Sequence, residues 1–388
     1  MIKLSDITNN LIGQPMFNLL AKANELEKSG REVIHLEIGD PNFLSPKVAI
    51  NASKKALDDD LTHYTNSMGI LEFRESVCNY TNEYWGFRPE LRQVIECPAN
   101  AIIDFVIRCV ANIGDEIIYP NPGFSTYYSA IKYNGMIPVG VQLKEQNNFR
   151  MQPEDVYNKI TPKTKLIIIN TPNNPTGSVM TKHEIENIAR IASENKIYLL
   201  SDEVYSRIIY DKTHYSPSSY DKCLDNIIIL NSLSKMFSMS GWRLGYAVGP
   251  EELIEKIGLL LQTIISCQPA FTQIGGIEIL NNSEITVNNI VSELKSRRNI
   301  LVNGINSINK ISCIIPDGAF YVFINIKESG LNSSIFADRL LNETGVCVLP
   351  GSCFGEFGED YVRICYASAS IDIINTALNK IKTFVDGL

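Results

Sequence analysis

The 388-residue sequence predicts an α/β fold, a large domain on a mainly parallel central sheet flanked by helices, with a smaller α+β domain beside it. Three observations carry this expectation. Short runs of Ile, Val, Leu and Tyr alternate with amphipathic helical stretches from about residue 97 to 263. Those runs lack polar alternation, as strands buried on both faces of a parallel sheet do. Beyond residue 285 the pattern changes to a long helical stretch and then closely spaced strands, and the chain is too long for one ordinary core.

Taken in order, a helix at 17–29 lies within a first segment that is expected to pack with the carboxy-terminal part. Strands are predicted at 116–119, 137–141, 165–169, 197–200, 226–230 and 244–248. Helices at 101–111, 125–133, 182–195 and 251–263 fall between them, the alternation that builds parallel sheets. A long helix near 290–305 leads into the strand-like runs GAFYVFINI, GVCVLPG and YVRICYA, and a last helix ends the chain. The large domain is therefore expected to span 46–285, and the small one 1–45 with 286–388. No Gly/Ser linker or repeat separates them, so they are expected to dock closely.

Composition narrows the function. With 35 basic and 43 acidic residues the net charge is −8, which disfavours general attraction to nucleic acid or an anionic membrane. An anionic ligand must instead be held by a local site. The cysteines number nine, an odd count without CxxC, which argues against a disulfide framework or zinc site and fits a reducing cytoplasm. The amino terminus lacks a basic then apolar leader, and the greasiest run, 257–266, is too short to span a bilayer. No GxGxxG opens a βα unit, so a nicotinamide dehydrogenase is disfavoured.

In open α/β sheets ligands bind beyond the carboxyl ends of the strands, so chemistry is sought there. After 165–169 comes NTPNNPTG (170–177), whose prolines, glycine and asparagines require a tight loop. After 197–200 comes SDEVY, with Asp202 and Tyr205 just past a buried strand. After 226–230 comes NSLSKMFSMSGWRLGY, with Lys235 among small residues and Arg243 eight positions on. A lone lysine in such a run is in most sequences a solvated surface charge. Upstream, CPANAIID (97–104) opens a helix at Pro98, leaving the amides of Ala99 and Asn100 at its positive end, a ready anion site.

NNPTG, SDEVY and SLSKMFSMSGWRLGY, in that order and spacing, resemble the class I, aspartate-aminotransferase-like family of pyridoxal-phosphate enzymes. The resemblance runs from LEIGDPNF (36–43) to YVRICYA (361–367), nearly the whole chain. It implies a fold type I architecture, pyridoxal 5′-phosphate as cofactor, and exchange of an amino group between an L-amino acid and a 2-oxo acid by a ping-pong route. Other Cα chemistry, such as β-elimination, is the alternative on the same scaffold. A catalytically retired scaffold is disfavoured, because it has no physical reason to keep costly buried charges.

The resemblance also assigns roles. Lys235 becomes the Schiff-base lysine and, once freed, the general base. Asp202 keeps the pyridine nitrogen protonated, Tyr205 and Asn174 donate to the phenolic oxygen, and Phe124 stacks on the ring. Arg243, Ser232 and the amides of Ala99 and Asn100 hold the phosphate. Tyr64, in HYTNSMG, reaches the phosphate from a partner subunit, which implies a homodimer. Arg363 and Gly39 take the substrate α-carboxylate. Many relatives have Gly where this chain has Pro98, and some that use dicarboxylates have Lys at the place of Asn100. Phe17, Phe124 and Phe320 are expected around the substrate side chain.

Overall fold

The computed structural model describes residues 2–222 and 224–388. In chain order its strands are β1 (Ile34–His35), β2 (Val94–Glu96), β3 (Glu116–Asn121), β4 (Ile137–Gln142), β5 (Thr164–Asn170), β6 (Tyr198–Asp202), β7 (Ile227–Ser232) and β8 (Gly245–Val248). They continue with β9 (Ser312–Cys313), β10 (Tyr321–Asn325), β11 (Val346–Cys347), β12 (Leu349–Pro350) and β13 (Tyr361–Cys365).

A seven-stranded sheet runs β2-β8-β7-β6-β5-β3-β4. Its neighbours from β7 through β4 are all parallel, whereas β8 pairs antiparallel with both β7 and β2. The fold is thus α/β with a mainly parallel sheet. The uninterrupted apolar runs follow from burial on both sides. Ile167, Ile169, Leu199, Ile227 and Ile229 face one core, and their chain neighbours Leu166, Ile168, Leu200, Ile228 and Leu230 face another. Helices cover both faces, among them Ala99–Val110 and Glu251–Ile264 on the second side. The helix Lys182–Glu194 begins with Thr181 and Glu184 exchanging reciprocal caps, which fixes its start.

A second sheet, β12-β13-β10-β9, is antiparallel. Its core draws on Val322, Ile324, Val362 and Ile364 together with Leu294 and Leu301 of the helix Ser283–Asn306. That helix starts seven residues before the expected 290, because Ser283 continues the polar first turns without a breaker. The segment after the helix Pro15–Lys28 joins this part of the chain: β1 lies parallel to β11, and Leu36 donates to the carbonyl of Cys347. Among the described residues no helix is long and apolar enough to cross a membrane, and no cluster of His, Cys, Asp and Glu is arranged to hold a metal ion.

Candidate active site

Parallel pairing aligns the strand ends. Asn170 of β5 stands beside Asp202 of β6, and Asp202 beside Leu230 of β7, two residues before Ser232. The loops that follow open a cavity of about 500 Å³. Ala99, Asn100, Phe124, Asn174, Asp202 and Tyr205 line it from the seven-stranded sheet, as do Ser232, Lys235 and Arg243. Gly39, beyond β1, and Arg363 of β13 line it from the opposite wall. The site residues expected from the sequence are therefore on this one cavity, except Phe320 and Tyr64, the latter 88% exposed and lying elsewhere.

Lys235 sits in the short helix Leu233–Met236 that β7 feeds directly, with Ser232 capping it by accepting from the Ser234 amide. Its Nζ donates to the carbonyl of Gly39 at 2.7 Å, across 196 residues of chain. Burial pushes its pKa below the usual lysine value, against the opposing pull of Asp40. An amine that loses its proton more readily is a better nucleophile and base. Gly39 has no room for a side chain, since a Cβ there would fall 2.1 Å from the Tyr321 hydroxyl.

Asp202 is 3% exposed, and burial pushes its carboxyl up to about 6. Its Oδ2 accepts from the hydroxyl of Tyr127, and its Oδ1 accepts from the Val204 amide at 3.2 Å. These two donors hold the carboxylate at the mouth of its strand. Tyr205 shares a hydrogen bond with Tyr321, oxygen to oxygen 2.8 Å. Asn174 is fixed by its own loop: its amide donates to Asn170 Oδ1 at 2.9 Å, and its Oδ1 accepts from Arg363. That leaves the Asn174 side-chain NH₂ as the free donor.

Arg363 is the largest fully buried side chain, 2% exposed, and has no carboxylate partner among the described residues. Nη1 donates to Asn174 Oδ1 at 3.0 Å, Nη2 to the Glu37 carbonyl, and Nε has no partner. A guanidinium buried among neutral acceptors with a donor to spare is arranged to receive an anion. Arg243 adopts a left-handed conformation (φ 59°) after a short helical turn, and its Nη1 donates to Ser240 O at 2.7 Å. The helix Ala99–Val110 begins after Pro98, which caps it rather than occupying its first turn, and the Ala99 and Asn100 amides lie at its open end. Gly245 permits this meeting of strand and helix, because a Cβ there would lie 2.7 Å from Cys97 O and 3.1 Å from Ala99 N.

Several residues on the cavity were not anticipated. Tyr127 is one, and Tyr321 another. Ser234 is a third: the Ser232 hydroxyl lies 2.9 Å from Ser234 Oγ and 3.0 Å from Leu244 O, and its one proton goes to one of these two acceptors. Gln14, Met16 and Ile38 also line the cavity, next to Phe17. Phe320 does not. It is fully buried behind the wall, packed edge-on against Tyr205 and tilted against Tyr321. Phe320 lies in the turn before β10, whereas Tyr321, the first residue of the strand, takes the cavity side.

Comparison with known proteins gives the family. The profile of aminotransferase class I and II matches residues 31–381. An aspartate aminotransferase of Pyrococcus horikoshii is 39% identical, over 95% of this chain and 94% of its own. An aromatic-amino-acid aminotransferase of Thermococcus litoralis is 37% identical, over 90% and 91% respectively. Among solved structures, aspartate aminotransferase from Thermus thermophilus with maleate superposes with a TM-score of 0.94 at 30% identity, covering 99% of this chain and 100% of that one. The chain belongs to the class I and II aminotransferases, and it is an enzyme that transfers amino groups.

Proposed function

We propose that the cavity holds pyridoxal 5′-phosphate and exchanges an amino group between an L-amino acid and a 2-oxo acid. The observation that carries this is a lysine amine without an acid partner, its pKa lowered, in one cavity with a buried carboxylate and a buried acid-free guanidinium. The donor set fits the cofactor. Arg243, the hydroxyls of Ser232 and Ser234 and the amides of Ala99 and Asn100 offer a dianion several donors. Asp202 would hold a proton on a ring nitrogen, and Phe124 would cover a ring face. Tyr205 and the Asn174 NH₂ would donate to a phenolic oxygen.

When bound, the cofactor supplies an electron sink that makes the amino acid's Cα proton removable. Lys235 Nζ then moves that proton, its lowered pKa keeping more of the amine free to accept it. Arg363, with the Gly39 backbone, orients the α-carboxylate. The side chain of the substrate meets Met16, Phe17, Ile38 and the amides of Gln14 and Asn100. Among the described residues lining the cavity the cations are Lys235, Arg243 and Arg363, all with assigned partners, so an acidic side chain would need a further cation from the amino-terminal arm or a second subunit.

The proposal extends to a homodimer in which Tyr64 reaches the partner's phosphate site, consistent with its 88% exposure. It also includes a large domain of 46–285 and a small domain of 1–45 and 286–388, with the cavity between them. The unpaired state of the described cysteines supports a reducing cytoplasm.

The test is spectroscopic. Purified protein is loaded with the cofactor and given a panel of amino acids without oxo acid. Loss of the aldehyde absorbance with one equivalent of oxo acid released supports transamination, whereas continuous ammonia release means a lyase. A chromophore unaffected by Lys235→Ala would overturn the assignment.

A further inference from the structure

We infer that Tyr321 is a positioning residue: its hydroxyl tunes Tyr205 while its ring steadies Arg363, so that one side chain links the cofactor's phenolic oxygen to the substrate-carboxylate site. This rests on the roles proposed above for Tyr205 and Arg363.

The sheet register produces the arrangement. Tyr321 opens β10 opposite Cys365, and Arg363 lies two residues along β13, so both side chains project from the same face as diagonal neighbours. The Arg363 guanidinium lies 4.4 Å from the Tyr321 ring centroid and 4.9 Å from that of Phe354. Aromatic faces hold a buried cation without neutralising it, which a carboxylate would do. The guanidinium is thereby kept in place and kept available, its Nε still unpartnered.

The other end of the ring settles a question of proton direction. Tyr205 and Tyr321 share a 2.8 Å hydrogen bond that either could donate. A phenol has one proton to give. If Tyr205 gives its proton to the cofactor oxygen, its own oxygen must accept from Tyr321, and the chain runs Tyr321 to Tyr205 to cofactor. Hydrogen bonds in such a chain polarise one another, making Tyr205 the stronger donor. Tyr321 is 1% exposed, and its hydroxyl fills the space a side chain at Gly39 would need, so it has little freedom to turn away. The carbonyl of that same Gly39 receives the Lys235 amine, which places Tyr321 one contact from each proposed reacting group.

The test compares Tyr321→Phe, Tyr321→Leu and Tyr205→Phe in cofactor-loaded protein without substrate. A donor on the phenolic oxygen favours the form that has lost its proton, so weakening it raises the pH midpoint of the cofactor's absorbance change. Tyr205→Phe is expected to raise that midpoint most. Tyr321→Phe is expected to raise it by about half a unit, the size of part of one neutral hydrogen bond. Affinity for 3-phenylpropionate, a carboxylate with no amine, is expected to stay within about twofold in Tyr321→Phe and to fall about tenfold in Tyr321→Leu, which loses the ring. An unmoved midpoint in Tyr321→Phe alongside a moved one in Tyr205→Phe overturns the hydroxyl's role alone. Unmoved midpoints in both remove the proposed role of Tyr205 and this inference with it. Full probe affinity in Tyr321→Leu overturns the role of the ring.

Discussion

Replacing Asp202 with Asn is expected to make the cofactor-free chain more stable above neutral pH while disabling the site. The native carboxyl keeps its proton up to about pH 6, against an ordinary value of 3.8 in the unfolded chain. Between those values the unfolded state ionises first, so native stability falls as pH rises through that window. Above it a deficit of ~3 kcal/mol persists, about two units at ~1.4 kcal/mol each. Asn cannot ionise, and its stability follows none of this. It has one acceptor oxygen where Asp202 uses two, for Tyr127 and Val204, which costs about 1 kcal/mol at every pH. The variant is then ~2 kcal/mol more stable than the parent at pH 8, and its advantage shrinks by ~1.4 kcal/mol at pH 5. Urea unfolding of both cofactor-free proteins at those two pH values measures the difference. A mutant-minus-parent difference that is flat with pH, within ~0.5 kcal/mol, refutes the claim that a buried acid is being held against its own ionisation. In loaded protein the same substitution removes a charge-assisted hydrogen bond, and cofactor affinity is expected to fall about 10- to 100-fold.

Arg363→Lys keeps the charge and loses the fork, and is expected to raise KM for amino acids about 100-fold while cofactor affinity changes less than about threefold, as read by steady-state kinetics and absorbance titration. Gly39→Ala puts a methyl 2.1 Å from the Tyr321 hydroxyl, so chemical denaturation is expected to show a loss of about 1–3 kcal/mol. Tyr64→Ala and Lys235→Ala are each expected to be nearly inactive, yet co-refolded at equal amounts they are expected to recover about a quarter of wild-type sites, because half of the heterodimer's sites draw an intact residue from each chain. Recovery of nothing would show that Tyr64 serves no partner's site.

Much of the sheet was legible because burial on both faces leaves a direct mark on composition. Ile227–Ser232, buried at every position, is predicted to within two residues. The antiparallel edge was not legible. Val94–Glu96 is only three residues long, and a strand's direction relative to its neighbour leaves no trace in which residues it contains. The same limit hid the tyrosines. NPGFSTYY offers Tyr127 and Tyr128 side by side, and only the rotation of the helix Ser125–Tyr133 sends the first to Asp202 and leaves the second 39% exposed. In GAFYVFINI, likewise, Phe320 and Tyr321 are equally good core residues until pairing with β13 decides which faces the cavity.

The cations show where local reading stops and tertiary structure takes over. No acid occurs between Ser232 and Tyr246, but 43 acidic residues elsewhere in the chain were available to pair with Lys235 or Arg243. Packing withholds them. Lys235, Arg243 and Arg363 instead contact the oxygens of Gly39, Ser240, Asn174 and Glu37, all carbonyl or amide acceptors. Arg363 is the clearest instance, since Glu37 lies buried beside it and yet presents its backbone carbonyl, while its carboxylate is turned to His35 at 2.8 Å. Had that carboxylate faced the guanidinium, a closed ion pair would have formed, stable and unreceptive to a substrate. With only neutral acceptors, part of each charge stays unmet in a low-dielectric cleft, where attraction for an anion is strongest. On the proposed function, a chain of net charge −8 would in this way bind a phosphate and a carboxylate side by side.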